Sequence, residues 1–303
     1  MTHNNAMEPT ARPTVSPSPQ AIAPHLLAGV RMAFVGGGNM ASALLEALLT
    51  AGGRAADVCV LDPQPAVRER LQQQWGVRTL AAPDPTLAEA ALVVWAVKPQ
   101  TFREAALAAA PFVGGALQLS VAAGIRCAAM RAWLGTERIV RTMPNTPALV
   151  GRGMTALYAL PSVSADDRAR AQALIAGTGR WVWVDDEAAL DAVTAVSGSG
   201  PAYVFYVLEA MRDAGAALGL PPAVALQLAI ATFDGAAHLA ERSAEPPEVL
   251  RERVTSKGGT TAAALAVLHE RGVREAFIAA LQAAHQRARE LGEAFGAEAG
   301  SSA

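Results

Sequence analysis

A chain of 303 residues with 52% apolar side chains is long enough for roughly two domains with packed cores, and it contains no unbroken apolar run of about 18 residues to suggest a membrane partner. A net charge of -2 with interleaved cations and anions gives no footprint for nucleic acid, so a small molecule is the expected ligand. Cys59 and Cys127 are the only cysteines and lack metal or redox spacing, which fits a reducing, cytoplasmic setting.

Residues 1–29, with five prolines among Ser, Thr and Asn, predict a disordered leader and not a signal peptide. From Met32 the pattern becomes strand, glycine turn and helix: Met32 to Val35, then Gly36-Gly37-Gly38-Asn39-Met40-Ala41, then Leu44, Leu45, Leu48 and Leu49 at helical spacing. Gly36, Gly38 and Ala41 stand at the spacing of the dinucleotide fingerprint, in which a turn, a close phosphate approach and a helix–strand contact each need a small residue. Val58 to Leu61 predicts a second buried strand ending in Asp62, placed to accept from the ribose hydroxyls of NAD and to repel the 2′-phosphate of NADP. A helix is expected over Pro65 to Trp75, carrying Arg68, the nearest cation beyond Asp62.

Further strands are expected at Ala91 to Val97, Leu117 to Ala123 and Arg138 to Thr142, with helices at Thr101 to Ala110 and Ala128 to Leu134 between them. Such alternation is that of a doubly wound parallel sheet, and its ligand loops lie at the strand ends. Those loops read Ala96-Val97-Lys98-Pro99, Val121-Ala122-Ala123 and Met143-Pro144-Asn145-Thr146-Pro147. Lys98 is either an acid or a lysine marking the strand end; Asn145 either reaches the nicotinamide side or forms an Asx turn. Met154 to Leu160 and Trp181 to Val184, flanking a helix at Asp166 to Ala176, are expected to complete the sheet.

Beyond Asp185 every segment is helical by period: Ala189 to Leu218, Pro222 to Arg242, Pro247 to Val254, Thr260 to Arg271 and Val273 to Phe295. Ser197-Gly198-Ser199-Gly200-Pro201 interrupts the first of these with a proline that frees a backbone carbonyl, as a packing point or the floor of a site. Ala and Leu on several faces suggest a homo-oligomer built through these helices. The expected division is therefore 1–29 leader, 30–187 dinucleotide-binding Rossmann domain, 188–295 helical domain and 296–303 flexible tail, an α/β plus all-α chain.

Ser256-Lys257-Gly258-Gly259-Thr260-Thr261 opens a helix with two glycines and three hydroxyls, which suits either a helix cap or a small anion held on helix N–H groups. The five histidines stand singly and make no metal or triad pattern. A nicotinamide-binding chain without an evident acid suits reduction of a C=N bond that already carries a proton, since an iminium needs no proton donor.

The motifs Phe34 to Ala41, Val97 to Gln100, Met143 to Ala148, Asp191 to Tyr203 and Ser256 to Thr261, in this order, resemble those of pyrroline-5-carboxylate reductase. The resemblance implies reduction of 1-pyrroline-5-carboxylate to L-proline with NADPH or NADH, the last step of proline biosynthesis. It also implies a substrate carboxylate held by Ser256, Gly258, Gly259 and Thr260, a hydrogen bond from Thr261 to the ring nitrogen, and a substrate-site carboxylate at Glu187. A homodimer through the helical domain, assembled further to a decamer in some members, is implied as well. Asp62 departs from the small hydroxyl or Asn-like residue of strongly NADPH-selective members. Two other readings are weaker: a 3-hydroxy-acid dehydrogenase would need a lysine absent from Asp191 to Leu218, and a non-catalytic nucleotide sensor has no use for Ser256 to Thr261.

Overall fold

The computed structural model describes the backbone of residues 24–300. The expected leader therefore lies outside the described residues up to residue 23, and its last residues form a short helix, α1 (Pro24–Leu27). Eight strands follow in one sheet: β1 (Met32–Val35), β2 (Val58–Leu61), β3 (Arg78–Leu80), β4 (Leu92–Trp95), β5 (Leu117–Ser120), β6 (Ile139–Met143), β7 (Gly153–Ala159) and β8 (Gly179–Trp183). Their order across the sheet is β3-β2-β1-β4-β5-β6-β7-β8.

The first six strands run parallel, joined by α2 (Asn39–Thr50), α3 (Pro65–Trp75), α4 (Pro99–Val113) and α5 (Cys127–Leu134) on the two faces. Strand alternation feeds both cores at once. Met32 and Phe34 pack with Leu44, Leu45 and Leu48 of α2, whereas Ala33 and Val35 pack with Phe102 of α4 and Met130 of α5. The two further strands complete the sheet as expected, and β7, whose direction the sequence left open, pairs antiparallel to β6. Only residues 144–152 join those strands, too few for a parallel crossover. β7 and β8 are parallel again across α6 (Ala165–Ala176). β3, which was not expected from sequence, has only three residues, too few to show an alternation.

The helical part comprises α7 (Ala189–Val193), a π turn at Thr194–Gly198, α8 (Gly200–Ala217), α9 (Pro222–Arg242), α10 (Pro247–Arg253), α11 (Thr260–Glu270) and α12 (Val273–Gly300). Two compact units result: residues up to Gly198 together with those from His285 on, and Ser199–Ala284. Both outer limits differ from expectation. Segment 188–198 stays with the nucleotide-binding unit, and α12 continues as helix to Gly300 where a flexible tail was expected from residue 296.

The second unit has little core of its own. Gly215, Ala225 and Ala229 are the only buried residues on α8 and α9, and α10 and α11 bury none. A Cβ on Gly215 would stand 2.6 Å from that of Ala225, so glycine is what lets these two helices approach. Phe205, Tyr206, Leu218 and Leu228 remain more than half exposed. Among the described residues α9 is also the one helix long and apolar enough to cross a membrane by length and composition.

Candidate functional site

The carboxyl ends of β1, β2 and β4 converge on a cleft of about 570 Å³ lined by Gly36 to Gly38, Asp62, Gln64, Ala96 to Lys98 and Glu104. Each glycine of the turn has its own reason. Gly36 takes a left-handed φ of +96°, and a Cβ there would lie 2.7 Å from the Ala96 carbonyl oxygen. Gly37 faces α3, where a Cβ would come within 2.6 Å of Val67 Cγ1. Gly38 meets nothing within 4 Å, so the space above it is open to a ligand. It is also the N-cap of α2, and no side chain caps that end. Open space, uncapped helix N–H groups and an apolar slot at Ala81, Ala82 and Pro83 suit a dinucleotide.

Asp62 is buried and holds the loop together: its Oδ2 accepts from the Gly37 N–H at 2.8 Å and its Oδ1 from the Gln64 N–H at 2.9 Å. The ribose contact expected of it would use the remaining lone pairs. Arg68 turns back over the same strand end, Nη1 donating at 2.8 Å to the carbonyls of Asp62 and Pro63. Arg70, for which no role was expected, donates at 2.9 Å to the Gly37 carbonyl. Lys98 is exposed at the N-cap of α4, ahead of Pro99, and Thr101 donates to its carbonyl. Asn39 and Met40 open α2, and Val121 to Ala123 follow β5, where the Val121 N–H donates to the Trp95 carbonyl at 3.0 Å.

A second set of contacts comes from one face of β6. Strand periodicity puts Arg141 and Met143 on the same side, and these two and Asn145, just beyond the strand, engage the segment 187–198. Arg141 is 2% exposed, with Nη1 2.9 Å from Glu187 Oε1 and Nη2 4.0 Å from Asp191 Oδ1. Asp191 also pairs with Arg126 at 2.5 Å, giving two cations and two anions in one cluster. Glu187 Oε1 additionally accepts the Cys127 N–H at 2.8 Å, so this carboxylate sits at the amino end of α5 and favours the helix dipole. Burial, followed by the Glu187 charge, pushes the Cys127 thiol far above its ordinary range. Burial raises the Tyr158 hydroxyl as well.

Of the two sequence alternatives for Asn145, the structure addresses the turn. This residue caps the 3-10 turn Thr146–Val150 through its backbone only, so no Asx turn forms. Its Oδ1 accepts the Met154 N–H at 2.9 Å and its Nδ2 donates to the Ser197 carbonyl at 3.0 Å. The carboxyl end of α12 closes on the same region. A Cβ on Gly292 would meet Arg126 Nε at 2.7 Å, and one on Gly124 would meet Phe295 Cδ2 at 3.2 Å.

In the second unit Ser256 to Gly259 make a tight turn in which the Gly259 N–H donates to the Ser256 carbonyl at 3.0 Å. Gly258 takes a φ of +76°, which a side chain would strain. Gly259 is the N-cap of α11 with no capping side chain, and a Cβ there would strike the Ser256 hydroxyl. The cap is thus made by a glycine and not by a hydroxyl. No side chain meets the first N–H groups of α11, and Ser256, Thr260 and Thr261 stand at the same end. The chain's only two lysines, Lys98 and Lys257, fall in these two regions.

The structure thus brings Gly36, Gly38, Asp62, Ala96, Val97 and Lys98 to one cleft, and Glu187 to the Arg141 cluster of the same unit; Ser256 to Thr261 belong to the other unit. Arg126, Arg141 and Asp191 were missed as site-building residues. The available signal was Arg141 itself, a charge in a buried strand, which requires anionic partners.

Comparison with known proteins agrees with this geometry. Residues 187–291 match the family described as pyrroline-5-carboxylate reductase dimerisation, and residues 31–124 match that described as NADP oxidoreductase coenzyme F420-dependent. The pyrroline-5-carboxylate reductase of Pseudomonas aeruginosa is 44% identical over 268 residues, 88% of this chain and 98% of that protein. That of Pisum sativum is 35% identical over 271 residues, covering 89% and 99%. The solved pyrroline-5-carboxylate reductase of Coxiella burnetii superposes with a TM-score of 0.81 at 35% identity, covering 87% and 98%. The Plasmodium falciparum pyrroline carboxylate reductase, solved with NADP bound, gives 0.79 at 26% identity, covering 87% and 98%. With an open glycine turn before α2, an uncapped glycine turn before α11, and relatives above 30% identity over nearly their full length, this chain belongs to the pyrroline-5-carboxylate reductase family.

Proposed function

We propose how this chain's residues carry out the reaction of its family, the reduction of 1-pyrroline-5-carboxylate to L-proline by NAD(P)H, the last step of proline biosynthesis. Gly36, Gly38, Asn39 and Met40 hold the pyrophosphate on the amino end of α2, and Asp62 keeps that turn in register beside the adenosine ribose. Ala96, Val97, Lys98, Pro99 and Val121 to Ala123 flank the nicotinamide. When bound, the cofactor supplies the hydride. The substrate carboxylate rests on the free N–H groups at the start of α11 with Ser256, Gly258, Gly259 and Thr260, and the Thr261 hydroxyl steadies the ring nitrogen. Because the ring nitrogen enters protonated, the new C–H bond neutralises the iminium and no side chain has to deliver a proton at that step. Glu187 acts through Arg141 and α5.

The observation that carries this assignment is the uncapped Gly259 start of α11 beneath the Ser256 hydroxyl. Oxidation of NADPH or NADH, followed spectrophotometrically on adding pyrroline carboxylate, tests the activity. Thr261→Ala should lower kcat/KM about tenfold or more while the cofactor Kd stays within twofold, since the hydroxyl serves the substrate alone. Unchanged kcat/KM would remove Thr261 from its role.

The exposed apolar flanks of α8, α9 and α11 support a homodimer through the helical unit, with a second copy and not a bilayer as their cover. Light scattering on the purified chain separates dimer from decamer. A Leu228→Glu variant that keeps the wild-type mass would refute this face as the contact. Both cysteines are free thiols, which supports a cytoplasmic setting.

A further inference from the structure

The turn after β5, residues 121–126, carries Val121 to Ala123 and leads into α5. Both of its ends are hydrogen-bonded. The Val121 N–H donates to the Trp95 carbonyl at 3.0 Å and the Ala122 N–H to Ser120 Oγ at 3.2 Å, while the Cys127 N–H reaches Glu187 Oε1 at 2.8 Å. Its middle is covered by the last part of α12, which from His285 on belongs to the same compact unit. Helical spacing sets Ala288, Gly292 and Phe295 on one face of α12, and Ala288 and Gly292 are buried there. Phe295 packs on the apolar cluster of Ala122, Ile125 and Cys127 and stands against Gly124, whose φ of +78° turns the chain. A Cβ on Gly124 would meet Phe295 Cδ2 at 3.2 Å and Leu291 Cβ at 3.6 Å. Nearly one helical turn earlier, Gly292 offers bare backbone to the Arg126 guanidinium, whose atoms would lie 2.7–2.9 Å from a Cβ there. The same guanidinium pairs with Asp191 at 2.5 Å.

We infer that Gly292 and Phe295 are positioning residues for the nicotinamide half of the cofactor: by seating Arg126 and covering Gly124 they fix the turn 121–126 beside the carboxyl end of β4. The inference rests on the reductase assignment above, which sets Val121 to Ala123 at the nicotinamide. The adenosine half lies outside their reach, because β5 is the third strand from β2 and Asp62 in the sheet, about 14 Å away at ordinary strand spacing. A turn that α12 no longer holds has to be ordered when the nicotinamide binds, and that penalty falls on one half of the dinucleotide only.

The test is calorimetric titration of the full chain with NADPH and with 2′-phospho-ADP-ribose, the same nucleotide without its nicotinamide. Phe295→Ala should raise the NADPH Kd about tenfold and leave the Kd for the fragment within about twofold. Phe295→Leu, which still covers Gly124, should stay within about threefold of wild type for both ligands. Gly292→Ala displaces the Arg126 guanidinium instead and should give the same split as Phe295→Ala, which decides the matter if that variant fails to fold. Equal losses for the two ligands, unchanged NADPH binding in the alanine variants, or a Phe295→Leu chain that binds NADPH as weakly as Phe295→Ala would each overturn the inference. A wild-type chain that binds neither ligand would instead refute the nucleotide assignment itself.

Discussion

Gly36 and Gly38 lie two residues apart in one motif, yet alanine at each should fail in a different assay. At Gly36 the backbone is left-handed and the new methyl would sit 2.7 Å from the Ala96 carbonyl oxygen and 2.9 Å from its carbon. The conformation costs about 1–2 kcal/mol and the forced separation of backbone from backbone about 1–3 more. A loss of about 2–5 kcal/mol lowers the melting temperature by about 5–15 °C in a protein of this size. At Gly38 φ is -73° and the methyl meets nothing within 4 Å, so stability should change by less than about 1 kcal/mol. The methyl instead occupies the approach of the pyrophosphate, and the NADPH Kd should rise at least about tenfold, or about 1.4 kcal/mol. Melting curves without cofactor and fluorescence titrations with NADPH read the two effects separately. The reasoning fails if Gly38→Ala melts as low as Gly36→Ala, or if it binds NADPH as the wild type does.

Arg141→Met should leave Glu187 without its buried partner and lower unfolding stability by about 3–5 kcal/mol in urea titrations; an unchanged midpoint would show that the cluster contributes nothing net. The Cys127 thiol is raised by burial above its ordinary 9.0, so the folded state keeps a proton that the unfolded state releases. Its contribution is thus fully present below pH 9 and declines above it by up to about 1.4 kcal/mol per pH unit. Cys127→Ala should flatten that decline, and an identical slope would contradict the assignment. Asp62→Ser removes an anion near the ribose and also two acceptors from the turn, so the NADH Kd should rise about tenfold while that for NADPH changes less. Equal effects on both would take the carboxylate away from the ribose.

How much was legible in the sequence follows the range of the forces involved. Gly36-x-Gly38-x-x-Ala41 and the strand before it were readable because turn sterics and periodicity act over a few residues. The same local logic marked Gly258 and Gly259, and the proline in Ser197 to Pro201 announced a freed carbonyl before its partner was known. What took that carbonyl was decided only by tertiary structure, since Asn145 lies 52 residues away in the chain. Arg141, Asp191 and Glu187 likewise acquire their roles through contacts 46 or more residues apart in sequence, which no spacing rule encodes. The reversal at β7 was set by a connection whose length is visible in the sequence but whose meaning depends on knowing which strands are neighbours. Sequence alone therefore determined the glycine turns before α2 and α11 and the helical second unit, because local conformation and apolar pattern dictate them. Only the folded chain decided that Arg141 and Asn145 would meet Glu187 and Ser197, because buried charges and free carbonyls must be met wherever in the sequence a partner is to be found.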